Sequence, residues 1–113
     1  MNSKRLCFAC DLKDDPELIA QYKTHHHKEN AWPEITSSIR DAGILNMEIY
    51  LLANHLFMIM EVDETFDAEK KQQMDAQNLK VQEWEKLMWK FQQQLPEAKL
   101  GEKWVEMEQI YKL

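Results

Sequence analysis

The sequence predicts an α+β fold in which helices pack on one face of an antiparallel sheet. Runs of alternating or β-branched side chains, typical of strands, occur at 5–12, 44–62 and 103–113. Between them lie segments with apolar side chains every three or four positions, which is typical of amphipathic helices. This order of strands and helices is that of a split βαβ unit.

The first strand and helix are predicted near the start of the chain. Residues 5–12 alternate loosely between apolar and polar side chains, as a half-buried strand does. Asp15 can cap the following helix, Pro16 fits its first turn, and the apolar spacing extends the helix to about Lys28. The inner face of this helix is expected to bear Leu18, Ile19, Tyr22 and His26.

A second helix and a β-hairpin are predicted next. The helix begins at Pro33, has one apolar face and ends at Gly43, a typical C-terminal stop. Residues 44–52 and 56–62 are rich in β-branched and alternating apolar side chains. The short segment 53–55 between them therefore predicts a turn.

The C-terminal half is predicted to repeat the order of helix and strand. Residues 66–77 are polar and predict a short helix with a loop, and 81–95 show the clearest amphipathic pattern before Pro96. Residues 103–113 alternate again and predict the last strand. The result is a ferredoxin-like antiparallel sheet with one bare apolar face, which favours a homodimer.

Length and charge limit the possible functions. A chain of 113 residues predicts one domain, 1–113, without a separate regulatory domain. A net charge of −6 with no cluster of Lys or Arg argues against nucleic acid as a partner. No apolar run approaches the roughly 20 residues of a membrane span. We therefore expect a cytoplasmic protein with one site for a neutral ligand.

The two cysteines are expected to be structural. Cys7 and Cys10 lie three residues apart in the first predicted strand, so they point to opposite faces at a distance of about 10 Å. That distance is too long for a disulfide. Small, half-buried, reduced thiols are typical of a reducing compartment.

Tyr22 and His26 are the most informative pair in the sequence. Residues four apart in a helix lie on the same face, so a phenol and an imidazole are placed together, with Trp32-Pro33-Glu34 shortly after them. Imidazole titrates near neutral pH and can act as an acid or a base. The pair therefore predicts a site for proton transfer.

These motifs resemble the L-rhamnose mutarotase family. The resemblance rests on Tyr-x-x-x-His followed by Trp-Pro-Glu, on Asn46-Met-Glu-Ile-Tyr50 and on Gln82-Glu-Trp84, and it covers nearly the whole chain. The segments DLKDDPELIAQY and LFMIMEVD look like the L-fucose branch. The resemblance implies a dimeric α+β barrel that interconverts the anomers of a 6-deoxy-L-sugar, L-fucose before L-rhamnose, without metal or cofactor.

The implied reaction opens a hemiacetal ring and closes it on the other face of C1. One group must protonate the ring oxygen while another takes the proton of the anomeric hydroxyl, and the roles exchange on closing. By resemblance, His26 is the catalytic proton donor and Tyr22 contacts the substrate. A well-placed acid or base typically accelerates such a step by about 10²–10⁴-fold.

Other interpretations of the histidines stay open. Five residues separate His26 from Trp32, where familiar family members have three, so His25 and His27 remain rivals for the catalytic role. All three histidines also fit a solvated helix end, where the dipole favours imidazolium. Consecutive histidines on a helix cannot converge on one ion, so no metal site is expected.

The resemblance also implies further substrate-binding residues. Trp84 matches the first of two adjacent tryptophans at the sugar site of the rhamnose enzymes, and Glu85 replaces the second. Met47 stands where those enzymes have a Tyr, Tyr50 matches another family Tyr, and Trp32 belongs to the shared Trp-Pro-Glu. By helical periodicity alone, Trp84 is equally well explained as a core residue.

Four glutamates lie in predicted strands, and one of them is expected to bind sugar hydroxyls or to be the second proton-transfer group: Glu48, Glu61, Glu106 or Glu108. Two other functions remain in competition with mutarotation. The same barrel fold hosts cofactor-independent oxygenases, and a non-catalytic sugar-binding or dimerisation module would have a similar sequence. Only a mutarotase would accelerate the exchange of anomers.

Overall fold

The computed structural model describes residues 3–113. Along the chain the elements are β1 (Lys4–Leu12), α1 (Pro16–His25), a 3₁₀ turn (Lys28–Asn30), α2 (Pro33–Asp41), β2 (Ile44–Leu52), β3 (His55–Val62), α3 (Ala68–Ala76), α4 (Leu79–Trp89), β4 (Gln92–Gln93) and β5 (Val105–Glu106). The sheet order is β2-β3-β1-β4, all antiparallel, and β5 also pairs with β1. This order confirms the predicted α+β, ferredoxin-like class.

The predicted start of α1 is confirmed, but its predicted end at Lys28 is wrong. Asp15 accepts hydrogen bonds from the second and third helical N–H groups at 2.9 and 3.2 Å. At the other end, the His26 and His27 N–H groups bond to carbonyls three residues back, and Asn30 Nδ2 donates to Thr24 O at 2.7 Å. These bonds tighten the last turn, so the helix ends at His25.

The predicted end of α2 at a glycine is confirmed. Gly43 has φ +91°, and a Cβ there would lie 2.6 Å from Asp63 Oδ1 and 2.7 Å from Thr65 Oγ1. Glycine is therefore required at this position for two reasons: the positive φ, and the clash that a Cβ would make. The hairpin that follows is also confirmed, with Leu52 paired to His55 across a two-residue turn.

The last predicted helix and strand are both shorter in the structure. The pattern predicts a helix over 81–95, yet α4 ends at Trp89 because the Phe91 carbonyl accepts a bond from Lys13 N at 2.8 Å and Gln92 and Gln93 pair with β1. Of the predicted strand 103–113, only Val105–Glu106 is a strand. Beyond it, Met107 N donates to Cys7 O at 2.7 Å.

The two faces of the sheet have different environments. The face toward the helices is buried, and on β3 it comprises Leu56, Met58, Met60 and Val62, each at most 7% exposed. The other face bears half-buried Phe57 and Ile59 together with exposed Tyr50 and Leu52. The chain therefore has one covered and one open sheet face.

The cysteines lie on opposite faces of the sheet, as predicted, but only Cys7 is half-buried. Cys10 is 1% exposed on the face toward the helices, where it pairs with Leu56, and Cys7 is half-buried on the open face, where it pairs with Ile59. Both thiols are free. Burial raises the pKa of Cys10 to about 11, so this thiol stays protonated.

Candidate active site

A cavity of about 350 Å³ lies between the covered sheet face and the helices. Its size is within the range of small-ligand pockets, roughly 300–1,000 Å³. Most of its surface is apolar, and the polar groups belong to a few side chains from the four helices and from the segments that follow α1 and α4. It is therefore the place where the predicted site residues can meet a ligand.

His26 is held in one tautomer by the backbone of its own helix. Its Nδ1 lies 2.8 Å from the Tyr22 carbonyl oxygen. A carbonyl oxygen can only accept, so Nδ1 bears the hydrogen in the neutral ring. Nε2 then has a lone pair, and no described hydrogen bond occupies it. The ring lines the cavity and can accept a proton there.

Aromatic rings surround the imidazole. The His26 centroid lies 4.3 Å from that of Tyr22 and 5.5 Å from that of Trp84. Loss of hydration among these rings lowers the His26 pKa below its usual 6.5, the bond to the Tyr22 carbonyl opposes this shift, and neighbouring His25 adds to it. The neutral form therefore predominates at pH 7. The residue is nevertheless exposed to solvent, so a ligand can reach it.

Two tryptophans form one wall of the cavity. Trp84 and Trp32 meet edge to face with their centroids 5.1 Å apart. Lys80 Nζ lies over the Trp32 ring at 5.9 Å from its centroid. Flat indole rings can cover the apolar face of a pyranose while keeping water away from it. Trp84 lies beside the His26 imidazole, and it also packs against the hydrophobic core.

Tyr22 and Gln92 form a buried polar pair at the cavity. Tyr22 is 4% exposed, and burial raises its pKa to about 12, so its hydroxyl stays protonated. Gln92 Nε2 donates to the Tyr22 hydroxyl oxygen at 3.4 Å. The sequence pattern did not indicate Gln92, because it placed this residue inside a helix; only the early end of α4 turns it into the cavity.

Charged groups lie at other parts of the cavity lining. Lys71 Nζ contacts Asp75 Oδ2 at 2.6 Å within α3. Lys103 Nζ donates to the Glu85 backbone carbonyl at 2.9 Å; burial lowers the pKa of Lys103, and the nearby Glu85 charge opposes that shift. The cavity therefore contains two carboxyl groups, those of Asp75 and Glu85.

None of the strand glutamates proposed from the sequence lines the cavity. Glu48 lies on the open sheet face and accepts from the Tyr50 hydroxyl at 3.0 Å, and Glu61 lies on that face as well. Glu106 and Glu108 are exposed near the end of the chain. Sheet register turns Glu48 and Glu61 to the open face, whereas Glu106 pairs with Phe8 of the covered face but is exposed outside the cavity lining. The structure therefore brings no strand glutamate to the cavity.

The structure brings all but one of the predicted site residues to the cavity. The residues that line it are Tyr22, His26, Trp32, Met47, Trp84 and Glu85. Tyr50 does not, because it is 54% exposed on the open face. His25 and His27 also line the cavity, but His25 packs on Phe91 at 5.4 Å and His27 lies 3.8 Å from Glu29.

The whole chain is similar to known sugar mutarotases. The sequence model described as L-rhamnose mutarotase matches residues 5–113. An L-fucose mutarotase of Xanthomonas campestris is 43% identical over 113 residues, which are 100% of this chain and 90% of that protein. The chain belongs to the L-rhamnose mutarotase family. Its membership agrees with the resemblance seen in the Tyr22 and Trp84 motifs.

Two other proteins extend this comparison. A UPF0734 protein of Dictyostelium discoideum is 41% identical over 109 residues, 93% of this chain and 86% of that protein. The crystal structure of an L-rhamnose mutarotase from Formosa agariphila superimposes with a TM-score of 0.70 over 97% of this chain and 98% of that one. At 23% identity, this likeness bears on the fold alone.

Membership of the mutarotase family confirms the predicted class of reaction, an isomerisation of sugar anomers. Within residues 3–113 there is no helix with the length and apolar character needed to cross a membrane. The same range contains no group of three or more His, Cys, Asp or Glu side chains that could hold a metal ion.

Proposed function

We propose that the protein interconverts the α and β anomers of a 6-deoxy-L-sugar, with L-fucose preferred over L-rhamnose, and that His26 is the catalytic acid and base. The observation that supports this most is the state of the imidazole. Its Nδ1 bonds to the Tyr22 carbonyl, which leaves Nε2 to exchange a proton with a ligand in the cavity.

The proposed reaction begins with neutral His26. Nε2 takes the proton of the anomeric hydroxyl while the bond between C1 and the ring oxygen breaks and the ring oxygen takes a proton from a second, protonated group of the site. Rotation about the bond between C1 and C2 then exposes the other face of the carbonyl. Ring closure reverses the two transfers, so no proton is gained or lost overall. Asp75 and Glu85 are the carboxyl groups that line the cavity, and we propose one of them for the second transfer.

The preference for L-fucose rests on two facts. The relative named L-fucose mutarotase is 43% identical over the whole of this chain. Met47 and Glu85, which replace the aromatic residues of the rhamnose enzymes, both line the cavity. A methionine and a carboxylate change the hydrogen bonds offered to the ring hydroxyls, which are the groups that distinguish the two sugars.

The test is an NMR measurement of anomer exchange at neutral pH. L-fucose, L-rhamnose and their D counterparts are each mixed with the protein, and saturation transfer between the α and β anomeric protons gives the rate. We expect acceleration that is largest for L-fucose. Binding without acceleration would contradict the proposal and favour a sugar-binding module. A haem or flavin spectrum in the purified protein would instead favour a redox enzyme on the same fold.

We further propose that two copies pair through the open sheet face. Phe57, Ile59 and Tyr50 form an apolar surface there, and a surface of this kind is usually covered by a partner. Light scattering is expected to give about twice the 13.6 kDa chain mass at micromolar concentration. Ile59→Lys should yield monomers that keep the circular dichroism of the wild type. A wild-type mass of one chain at every concentration would contradict this pairing.

We also propose that the protein acts in the cytoplasm. Both cysteines are free and lie on opposite sheet faces, which fits a reducing compartment. Fractionation of the source cells, with detection by a specific antibody, tests this. Recovery in an extracellular or membrane fraction would contradict it.

A further inference from the structure

Gln92 is a buried polar residue of the cavity lining that has no role in the mechanism above. It is 4% exposed, and it pairs with Leu12 at the edge of the sheet, so its side chain lies on the same face as the helices. Glutamine is rarely this buried unless both ends of its amide are satisfied. Its hydrogen bonds therefore need an explanation.

Among residues 3–113, only one end of the Gln92 amide has a hydrogen-bond partner. Nε2 donates to the Tyr22 hydroxyl oxygen at 3.4 Å. Within the described part of the chain, Oε1 is buried and has no hydrogen-bond partner. A buried amide oxygen without a donor is unfavourable, so native proteins keep one chiefly where a ligand or water completes it. Gln92 lines the cavity, so a bound molecule can supply the donor once the amide turns toward it.

Tyr22 supplies the complementary group. Its oxygen accepts from Gln92, so its own O–H is available to donate. Gln92 Oε1 and the Tyr22 hydroxyl thus offer one acceptor and one donor on contacting side chains. A sugar hydroxyl donates and accepts at the same time, and it can satisfy both groups. An aliphatic ligand would leave both unpaired.

We propose that Gln92 Oε1 accepts a hydrogen bond from one hydroxyl of the bound monosaccharide and, together with the Tyr22 hydroxyl, selects sugars that have a hydroxyl at that position. This inference rests on the proposed sugar mutarotase function. Gln92 is then a specificity-determining residue that contacts the substrate, whereas His26 exchanges the protons. A site built to bond a hydroxyl rejects an analogue that lacks it, because its buried polar groups are left unpaired.

The variant that tests the proposal is Gln92→Met, which keeps an unbranched side chain of similar length and removes both polar ends of the amide. Gln93→Met is the matched control, because Gln93 is the next residue of the same short strand and is exposed. The dissociation constant for L-fucose should rise about 3- to 10-fold in Gln92→Met and less than about twofold in Gln93→Met. Equal affinities of Gln92→Met and wild type would overturn the proposal.

A series of sugars separates recognition of a hydroxyl from a loss of packing. Wild type and Gln92→Met are each titrated with 1-deoxy, 2-deoxy, 3-deoxy and 4-deoxy forms of L-fucose. For one of these sugars the two proteins should bind with equal affinity, since the hydroxyl that Gln92 contacts is already missing. The full difference should persist for the others. A constant difference across the whole series would indicate packing alone and overturn the proposal.

A measurement on the wild type guards against a variant that fails to fold. The side-chain amide carbon of Gln92, assigned by NMR in the isotope-labelled protein, should shift when L-fucose saturates the site. An unchanged resonance at saturation would overturn the inference about Gln92 and leave the mutarotase function intact. If the wild type neither binds nor anomerises any sugar of the panel, the proposed function itself fails.

Discussion

Met47 and Tyr50 lie three residues apart on β2, and the sheet turns them to opposite faces. Met47 faces the helices and lines the cavity, whereas Tyr50 is exposed on the open face and bonds to Glu48. Both were expected at the sugar site by resemblance. The comparison shows that a residue's side of the sheet depends on strand register, which alternates with every residue. Membership of a sequence motif does not determine which face of the sheet a side chain lies on.

The same contrast holds for the covered and open faces as a whole. The covered face supplies the cavity and the buried Gln92, with the imidazole beside it, and the open face supplies an apolar surface with no helix over it among residues 3–113. We therefore assign chemistry to the first face and association to the second. The following predictions test that division.

The largest effect is expected from His26→Ala. Anomerisation should fall by at least about tenfold, because a lost acid or base typically lowers a rate by 10²–10⁴-fold. His25→Ala and His27→Ala are the matched controls; they should change the rate far less, since neither imidazole is held against the Tyr22 carbonyl. Exchange rates from NMR measure all three. If folded His26→Ala keeps the wild-type rate, another side chain must be the catalytic acid and base.

A strong effect is also expected from acidification. The active form of His26 is neutral, and loss of hydration holds its pKa below 6.5. The enzymatic rate should therefore persist as pH falls through 6.5 and then decline about tenfold per pH unit below the folded pKa. The spontaneous rate at each pH is subtracted. A decline that begins above pH 6.5 would contradict the lowered pKa.

The lowered pKa of His26 also makes the stability of the fold depend on pH. The unfolded chain has a normal imidazole and binds the proton more tightly than the folded chain does. The contribution of His26 to stability is therefore present above pH 6.5 and is lost as pH falls below it. Urea unfolding of the wild type and of His26→Ala at pH 7 and pH 5 measures this difference. The wild type should lose more stability on acidification than the variant.

A smaller effect is expected from removing single phenol oxygens. Tyr22→Phe should raise the Michaelis constant or lower the rate about 3- to 10-fold, because the hydroxyl lies in the cavity and pairs with Gln92. Tyr50→Phe should change the Michaelis constant and the rate by less than twofold, since the Tyr50 hydroxyl is on the open face. Steady-state kinetics compare the two. Equal losses in both variants would mean that the second face also contacts the sugar.

The smallest effect is expected from chelation. The mechanism uses imidazole and carboxyl groups, so EDTA treatment should leave the anomerisation rate unchanged. The control is the same protein dialysed without chelator. Loss of activity with EDTA that zinc or manganese restores would contradict the proton-transfer mechanism.

Local signals in the sequence determined the start of α1, the end of α2 and the hairpin. Asp15 followed by Pro16 specifies a helix start through groups within one turn, and Gly43 is required by a positive φ. The sequence also placed Tyr22 and His26 together, since four residues of helix separate them. These features depend on neighbours along the chain, which is why the sequence could predict them.

Only the tertiary structure decided where α4 ends and which polar groups reach the cavity. The amphipathic pattern continues to residue 95, but pairing of Gln92 and Gln93 with β1 ends the helix at Trp89 and turns the Gln92 amide inward. The strand bonds and the burial of Phe91 against the core outweigh the helical pattern there. Tyr50 was likewise excluded from the cavity by register. Contacts between residues distant in the chain set these outcomes, and the spacing of residues along the chain does not encode them.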